Sequence, residues 1–229
     1  MIKKRVMLAL MGSLLTWNSA HAALALDATR YIYKGNEQFI SVTANNESKS
    51  EYGAQVWVDN IVEKDTRPTF IATPSFFRIK EEGRQVFRIL KVSDHMSKEK
   101  ESVYWLNLQE IPQAREGSGI SMAIRTQVKL IYRPTAIVEG RDGAEANMTI
   151  EYQPGSQWLV NSTPYIFAIG AVHDSEGKGI EFTPEERDNL TLFMPGDRVE
   201  VTGHTVESVN ALSDYGNLEE FELKQMKKK

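Results

Sequence analysis

The chain has 229 residues with 27 basic and 31 acidic side chains, a formal net charge of -4, which argues against nucleic acid as its main partner. It contains no cysteine, so hydrophobic cores must hold the fold without disulfides. Its length is room for one large or two ordinary domains.

Residues 1–22 read as a secretory signal peptide. Lys3, Lys4 and Arg5 form a basic n-region, Val6 to Trp17 is a short apolar run, and Ala20-His21-Ala22 is a small-x-small cleavage site. The apolar run is too short to span a bilayer. Cleavage after Ala22 would leave 207 residues with 24 basic and 31 acidic side chains, a net charge near -7. The leader suits a bacterial envelope compartment, and no second apolar run is long enough to cross a membrane.

From Ala23 onward, strand patterns alternate with turn residues, which favours β-sandwich architecture. Strands are predicted near Leu24 to Tyr33, Gln38 to Asn45, Gly53 to Val62, Phe70 to Thr73, Phe76 to Lys80, Gln85 to Val92, Ser102 to Ile111 and Ile120 to Tyr132. Turn clusters such as Lys34-Gly35-Asn36 and Glu116-Gly117-Ser118-Gly119 separate them. Trp57 and Trp105 fall inside apolar strands and are expected to pack in the core. Arg133-Pro134 closes this first unit, residues 23–134, because proline removes a donor and biases its predecessor toward extended geometry.

A second set of strands follows, over residues 135–221. It is predicted near Asn147 to Gln153, Gln157 to Val160, Tyr165 to His173, Asn189 to Phe193, Arg198 to Thr202 and His204 to Leu212, forming a second, smaller sandwich. Residues 222–229 read as a basic, solvated tail. The expected fold is therefore all-β.

Sites for bond-making chemistry are hard to find. His21, His95, His173 and His204 are scattered, with no pair at metal-ligand spacing. No nucleophile elbow, phosphate-cradling loop or dinucleotide fingerprint occurs. The acidic pairs Glu185-Glu186 and Glu219-Glu220 read as wet surface.

The most distinctive stretch is Gly119 to Pro134. Ile120, Met122 and Ile124 alternate with Ser121, Ala123 and Arg125, and the run is long for a strand. On its own, this pattern favours ordinary core packing, although a ribbon of this kind can also accept a partner's strand. Arg30 and Lys129, taken alone, would be strand-end surface charges.

The run Glu101-Ser102-Val103-Tyr104-Trp105-Leu106-Asn107-Leu108-Gln109-Glu110-Ile111-Pro112, together with Lys129-Leu130-Ile131-Tyr132-Arg133-Pro134, resembles the periplasmic pilus chaperones, the PapD-like members of the chaperone-usher family. Ala28 to Tyr33, Ile71-Ala72-Thr73-Pro74 and Ser213-Asp214-Tyr215-Gly216 extend the resemblance over nearly the whole mature chain. It implies a boomerang of two immunoglobulin-like β-sandwich domains. Such a protein would bind pilus subunits in the periplasm, complete them by donating a strand, and deliver them to an outer-membrane usher, with no enzymatic activity, cofactor or metal.

By the same resemblance, Arg30 and Lys129 would anchor the carboxylate at the end of the pilus protein, and Ile120, Met122 and Ile124 would be the donated apolar residues. Glu101, Arg133 and Asp214 would form an ionic network between the domains. The family often has a second proline where this chain has Ser75. The seven residues between Pro112 and Ile120 match the short-loop subclass. An edge strand of this kind also admits self-association of the free protein. The principal alternative is a pilus subunit or adhesin, though such proteins usually carry a cysteine pair. A secreted β-sandwich hydrolase is a further rival that lacks a nucleophile-base pairing here.

Overall fold

A computed structural model describes residues 22–61, 67–112 and 122–224. Nine strands build the first unit: β1 (Leu24–Leu26), β2 (Arg30–Lys34), β3 (Phe39–Asn46), β4 (Tyr52–Asn60), β5 (Phe70–Thr73), β6 (Phe76–Ile79), β7 (Arg84–Lys91), β8 (Ser102–Ile111) and β9 (Arg125–Arg133). They form one sheet in the order β1-β3-β7-β5 and another in the order β2-β9-β8-β4-β6. The core between them contains Val42, Val56, Phe70, Phe87, Leu106 and Leu130. Removing this apolar surface from water is the principal force holding the two sheets together.

The expected first strand is in fact two. Its residues Asp27-Ala28-Thr29 carry the chain across the sandwich, so that β1 pairs with β3 and β2 pairs with β9 in the opposite sheet. The β2–β9 ladder is parallel, and every other strand pairing among the described residues is antiparallel. The Thr73–Pro74 bond between β5 and β6 is cis.

Period-two alternation gives each central strand two different faces. On β9, Val128, Leu130 and Tyr132 join the first core, whereas Ile131 joins a separate apolar cluster shared with the second unit. On β8, Tyr104, Leu106 and Leu108 point inward and Val103 enters the shared cluster. Trp57 and Trp105 have the outward parity. They are half-buried and outside the core, contrary to expectation, and the Trp57 indole N–H donates to Asp59 Oδ2 at 2.8 Å.

The second unit holds β10 (Thr149–Gln153), β11 (Ser156–Val160), β12 (Ile169–Asp174), α1 (Pro184–Thr191), β13 (Arg198–Glu200), β14 (Val206–Leu212) and β15 (Leu218–Glu222). Its sheets run β10-β11-β13 and β12-β14-β15 around a core that includes Leu159, Phe167, Phe193, Val199 and Val209.

Three expectations fail here. The strand placed at Asn189 to Phe193 is largely helix, because Thr183, Pro184 and Glu186 form a reciprocal capping box with proline at its first turn. β15 has no counterpart among the expected strands. The basic tail begins later than residue 222, since Glu222 ends β15, Leu223 is buried and the Lys224 amide donates to the Ala146 carbonyl at 2.9 Å.

The strand expected from Ile120 to Tyr132 starts at Arg125. Ile120 and the short loop before it lie outside the described residues, as does the leader up to His21. The capping box makes a direct prediction. Thr183→Ala should lower the stability of the protein by about 1 kcal/mol in denaturant titration.

Candidate functional site

The outward face of β9 looks onto the second unit and bears Lys129, Ile131 and Arg133, each with a neighbour on β2: Arg30, Ile32 and Lys34. The ladder therefore sets Arg30 beside Lys129. Lys129 Nζ donates to the carbonyl of Thr191, the last residue of α1, at 2.5 Å. Arg30 Nη1 reaches the Leu212 carbonyl at 3.4 Å, while its buried Nε has no hydrogen-bond partner. Among the described residues, neither cation forms a salt bridge with a carboxylate.

Both cations are held below their ordinary pKa. For Lys129 the causes are burial first and the charge of Arg30 second. For Arg30 burial dominates, with Asp214 opposing it and Arg141 adding to it. This pair of partly desolvated cations, with unused donor capacity, is able to donate hydrogen bonds to a small anion. A carboxylate suits it, because charge-assisted hydrogen bonds to a guanidinium and an ammonium are the strong kind.

This pair stands where one edge of β9 becomes free. β8 pairs with β9 from Arg125 to Tyr132, but β2 pairs with it only from Lys129 to Arg133. Arg125 to Val128 thus have no strand on the β2 side among the described residues. Beyond them, the Ile124 carbonyl still accepts from the Glu110 amide at 2.9 Å and from Gln109 Nε2 at 3.2 Å. Met122 and Ile124 expose 69% and 37% of their surface, so neither is a core residue of this chain.

Lys129 is odd-numbered and the apolar residues are even. The β8–β9 register runs without a shift, so alternation alone puts Lys129 on the face opposite Val128 and Leu130, and no bulge is involved over these residues.

At the other end of the β2–β9 ladder, Arg133 is 3% exposed and lies between two carboxylates. Its Nε donates to Glu101 Oε1 at 2.5 Å, and its Nη1 and Nη2 donate to Asp214 Oδ2 and Oδ1 at 2.7 and 2.8 Å. Glu101 Oε2 accepts from the Ile166 amide at 2.7 Å, tying β8 to the second unit.

Sequence reasoning missed three contributors. Arg141 stands 3.5 Å from Asp214 and forms a two-bond pair with buried Glu145 at 2.9 and 2.7 Å. Their spacing of four residues carried no helical signal, because Arg141 precedes a turn and Glu145 lies on a short 3-10 helix. The third, the Thr191 carbonyl, is a backbone group with no side-chain signature. Beside this network Val103, Ile131 and Ile166 form a buried cluster flanked by Ile32, Leu192 and Met194, so apolar contact reinforces the ionic link.

Burial alone would raise the Asp214 carboxyl. The hydrogen bonds and charge of Arg133, with Arg141 and Arg30, outweigh it and hold the group below its ordinary value. Burial would likewise depress Arg133, but Asp214 and Glu101 reverse that effect and raise it. At Glu101 burial prevails and pushes the carboxyl up, against the pull of Arg133 and the Ile166 amide.

Two β-sandwiches joined by a buried ionic network, with a half-free strand ending at a cation pair, define a protein equipped for strand addition. Residues 23–138 match the family described as "Pili and flagellar-assembly chaperone, PapD N-terminal domain". The chain is 53% identical over 216 residues to the "Chaperone protein ClpE" of Escherichia coli, covering 93% of this chain and 82% of that one.

Its fold matches the crystal structure of the Escherichia coli chaperone DraB with a TM-score of 0.71 at 23% identity, covering 88% and 96% of the two chains. It also matches the SafB chaperone, in a structure titled as its complex with the Salmonella enterica SafA pilin, with a TM-score of 0.68 at 20% identity, covering 89% and 96%. The chain belongs to the PapD-like pilus-assembly chaperones of the chaperone-usher family.

The network yields the next prediction. Arg133→Met removes the cation that Glu101 and Asp214 share, leaving Glu101 buried without its ion pair, and should cost about 3 to 5 kcal/mol of stability in denaturant titration. Asp214 has a depressed folded-state pKa, so its contribution is fully present above its ordinary value of 3.8 and is lost as pH falls through the lower folded value. The advantage of wild type over Asp214→Asn should accordingly narrow below pH 3.8 in thermal melts taken at stepped pH.

Proposed function

We propose that this protein is a periplasmic chaperone that captures incomplete pilus subunits by donating part of β9 and its N-terminal extension, then passes them to an outer-membrane usher. The observation that carries this reading is the Arg30–Lys129 pair at the point where β2 leaves the edge of β9 free. A client strand whose C-terminal carboxylate sits on this pair, and which pairs along Val128 back toward Met122, must run parallel to β9. It would then continue the line of β2 end to end. An antiparallel strand would place its terminus at the wrong end of the free edge.

In this reading Ile120, Met122 and Ile124 fill the groove where the client lacks its own last strand. Burying three such side chains is worth about 5 to 9 kcal/mol before ordering costs. Affinity comes chiefly from that burial, and the carboxylate anchor sets register, since a one-residue slip would turn every donated side chain to the wrong face. Glu101, Arg133 and Asp214 fix the angle between a first unit at residues 23–134 and a second beginning at residue 135, so that the second unit forms the far wall of the cleft. No cofactor or bond-making step is required. The relatives are described as chaperones, and the similar solved structure of SfaE as that of a periplasmic chaperone, which supports the assignment over a structural pilus subunit.

Coexpression with a candidate pilus protein tests the anchor. Arg30→Ala and Lys129→Ala should remain folded by circular dichroism yet recover about tenfold less soluble client than wild type, the loss expected for a charge-assisted hydrogen bond. Equal rescue by all three proteins would refute the cleft. Lys129 binds a carboxylate only while protonated, and its pKa lies below 10.5. Binding of a peptide that reproduces the client's last strand and free carboxylate, followed by calorimetry, should therefore weaken with rising pH before the range of an ordinary lysine.

A further inference from the structure

The first sandwich buries a carboxylate that the cleft does not use. Glu110 on β8 is 4% exposed, and its Oε1 accepts a hydrogen bond from the Leu24 amide at 2.8 Å. Its Oε2 accepts none from the described residues, and no lysine, arginine or histidine among them forms a salt bridge with it. An ionised carboxylate in such a place is costly unless a cation compensates it.

Leu24 is fully buried, and the Ala23 carbonyl accepts from the Glu47 amide at 2.8 Å, so the start of β1 is pinned on both sides. Consecutive backbone nitrogens stand at most roughly 3.7 Å apart, so the Ala23 nitrogen lies no more than roughly 6.5 Å from Glu110 Oε1. Hydrolysis of the Ala22–Ala23 bond by a signal peptidase would convert that nitrogen from a neutral amide into an ammonium.

We propose that Glu110 is the buried counter-ion of the α-ammonium that leader removal creates at Ala23, so that processing completes the first sandwich. The Leu24 amide orients the carboxylate, and Oε2 is the oxygen left to receive the new cation. Before cleavage the carboxylate lacks this partner, which makes the precursor the less stable form. The inference rests on cleavage after Ala22 and is independent of how a client is bound.

A double-mutant cycle on the mature protein tests it. The four proteins are the chain beginning at Ala23, the same chain with one glycine added before Ala23, Glu110→Gln, and the combination. Glycine addition should lower the folding equilibrium constant about tenfold in the parent and less than about threefold in Glu110→Gln, as expected if a hydrogen bond between charged groups is lost. Equal losses in both backgrounds, or none in either, overturn the proposal. Should Glu110→Gln fail to fold, acetylating the Ala23 amine of the parent serves instead, with a comparable loss expected and unchanged stability refuting the pairing. A periplasmic product whose mass does not correspond to a chain starting at Ala23 also overturns it.

Discussion

Strand parity on β9 is the constraint on which the rest of the structure depends. A residue cannot face both the first core and the second unit, so Val128, Leu130 and Tyr132 are spent on packing, while Lys129, Ile131 and Arg133 are left for the cleft. The three cleft residues do different work. Arg133 has two carboxylates and is a structural cation, Ile131 is an apolar contact, and Lys129 has only a carbonyl. Parallel pairing with β2 then brings Arg30 alongside Lys129, and slipping that ladder by one residue would expel Tyr33 from the core. Burial of Tyr33 and Tyr132 thus fixes two like charges side by side, although each charge opposes the other.

The ionic network and the cation pair depend on one another in the same way. Asp214 accepts both terminal nitrogens of Arg133, and its charge also acts on Arg30, so one carboxylate serves the rigid end of the cleft and moderates the receptive end. A buried ion pair is weak evidence for stability, because desolvation consumes most of the Coulombic gain. Here its directional bonds join β8, β9 and the β14–β15 turn, and so link two otherwise separate cores. Gly216, in that turn, has φ +82°, and a Cβ there would lie 2.7 Å from Thr29 Oγ1. The turn can approach the segment leading into β2 this closely because residue 216 has no side chain.

Much of this is legible in the sequence, where the chemistry resides in side chains with a regular period. The alternation around Leu130 and the Arg133-Pro134 stop point to the strands, whereas Glu101, Arg133 and Asp214 are singled out only through the resemblance of the Glu101 to Pro112 run and the Ser213 to Gly216 turn to the pilus chaperones. Trp57 reads as core only when aromatic content is weighed above parity, although Ala54, Val56 and Val58 already occupy the inward positions. α1 is hidden because Asn189 to Phe193 reads as a short apolar strand once Thr183-Pro184-Glu185-Glu186 is overlooked as a capping signal. β15 escapes because Leu218–Glu222 carries three glutamates and only two apolar residues, little for an alternation to show.

A half-free strand next to exposed Met122 and Ile124 is also a hazard, since unpaired backbone edges template unwanted association. Several features of the chain limit that hazard. The unpaired stretch of β9 is short, Arg125 and Gln127 on it are exposed and polar, and β2 closes the edge from Lys129 onward. Met122 to Ile124 are not held as strand in the free protein. An edge this short offers few main-chain hydrogen bonds, so a chance partner gains little from it. A partner that also brings an apolar groove and a terminal carboxylate gains from all three sources together. Under the proposed function, selectivity follows from requiring the three in one register, with Arg30 and Lys129 at the end where β2 closes the edge.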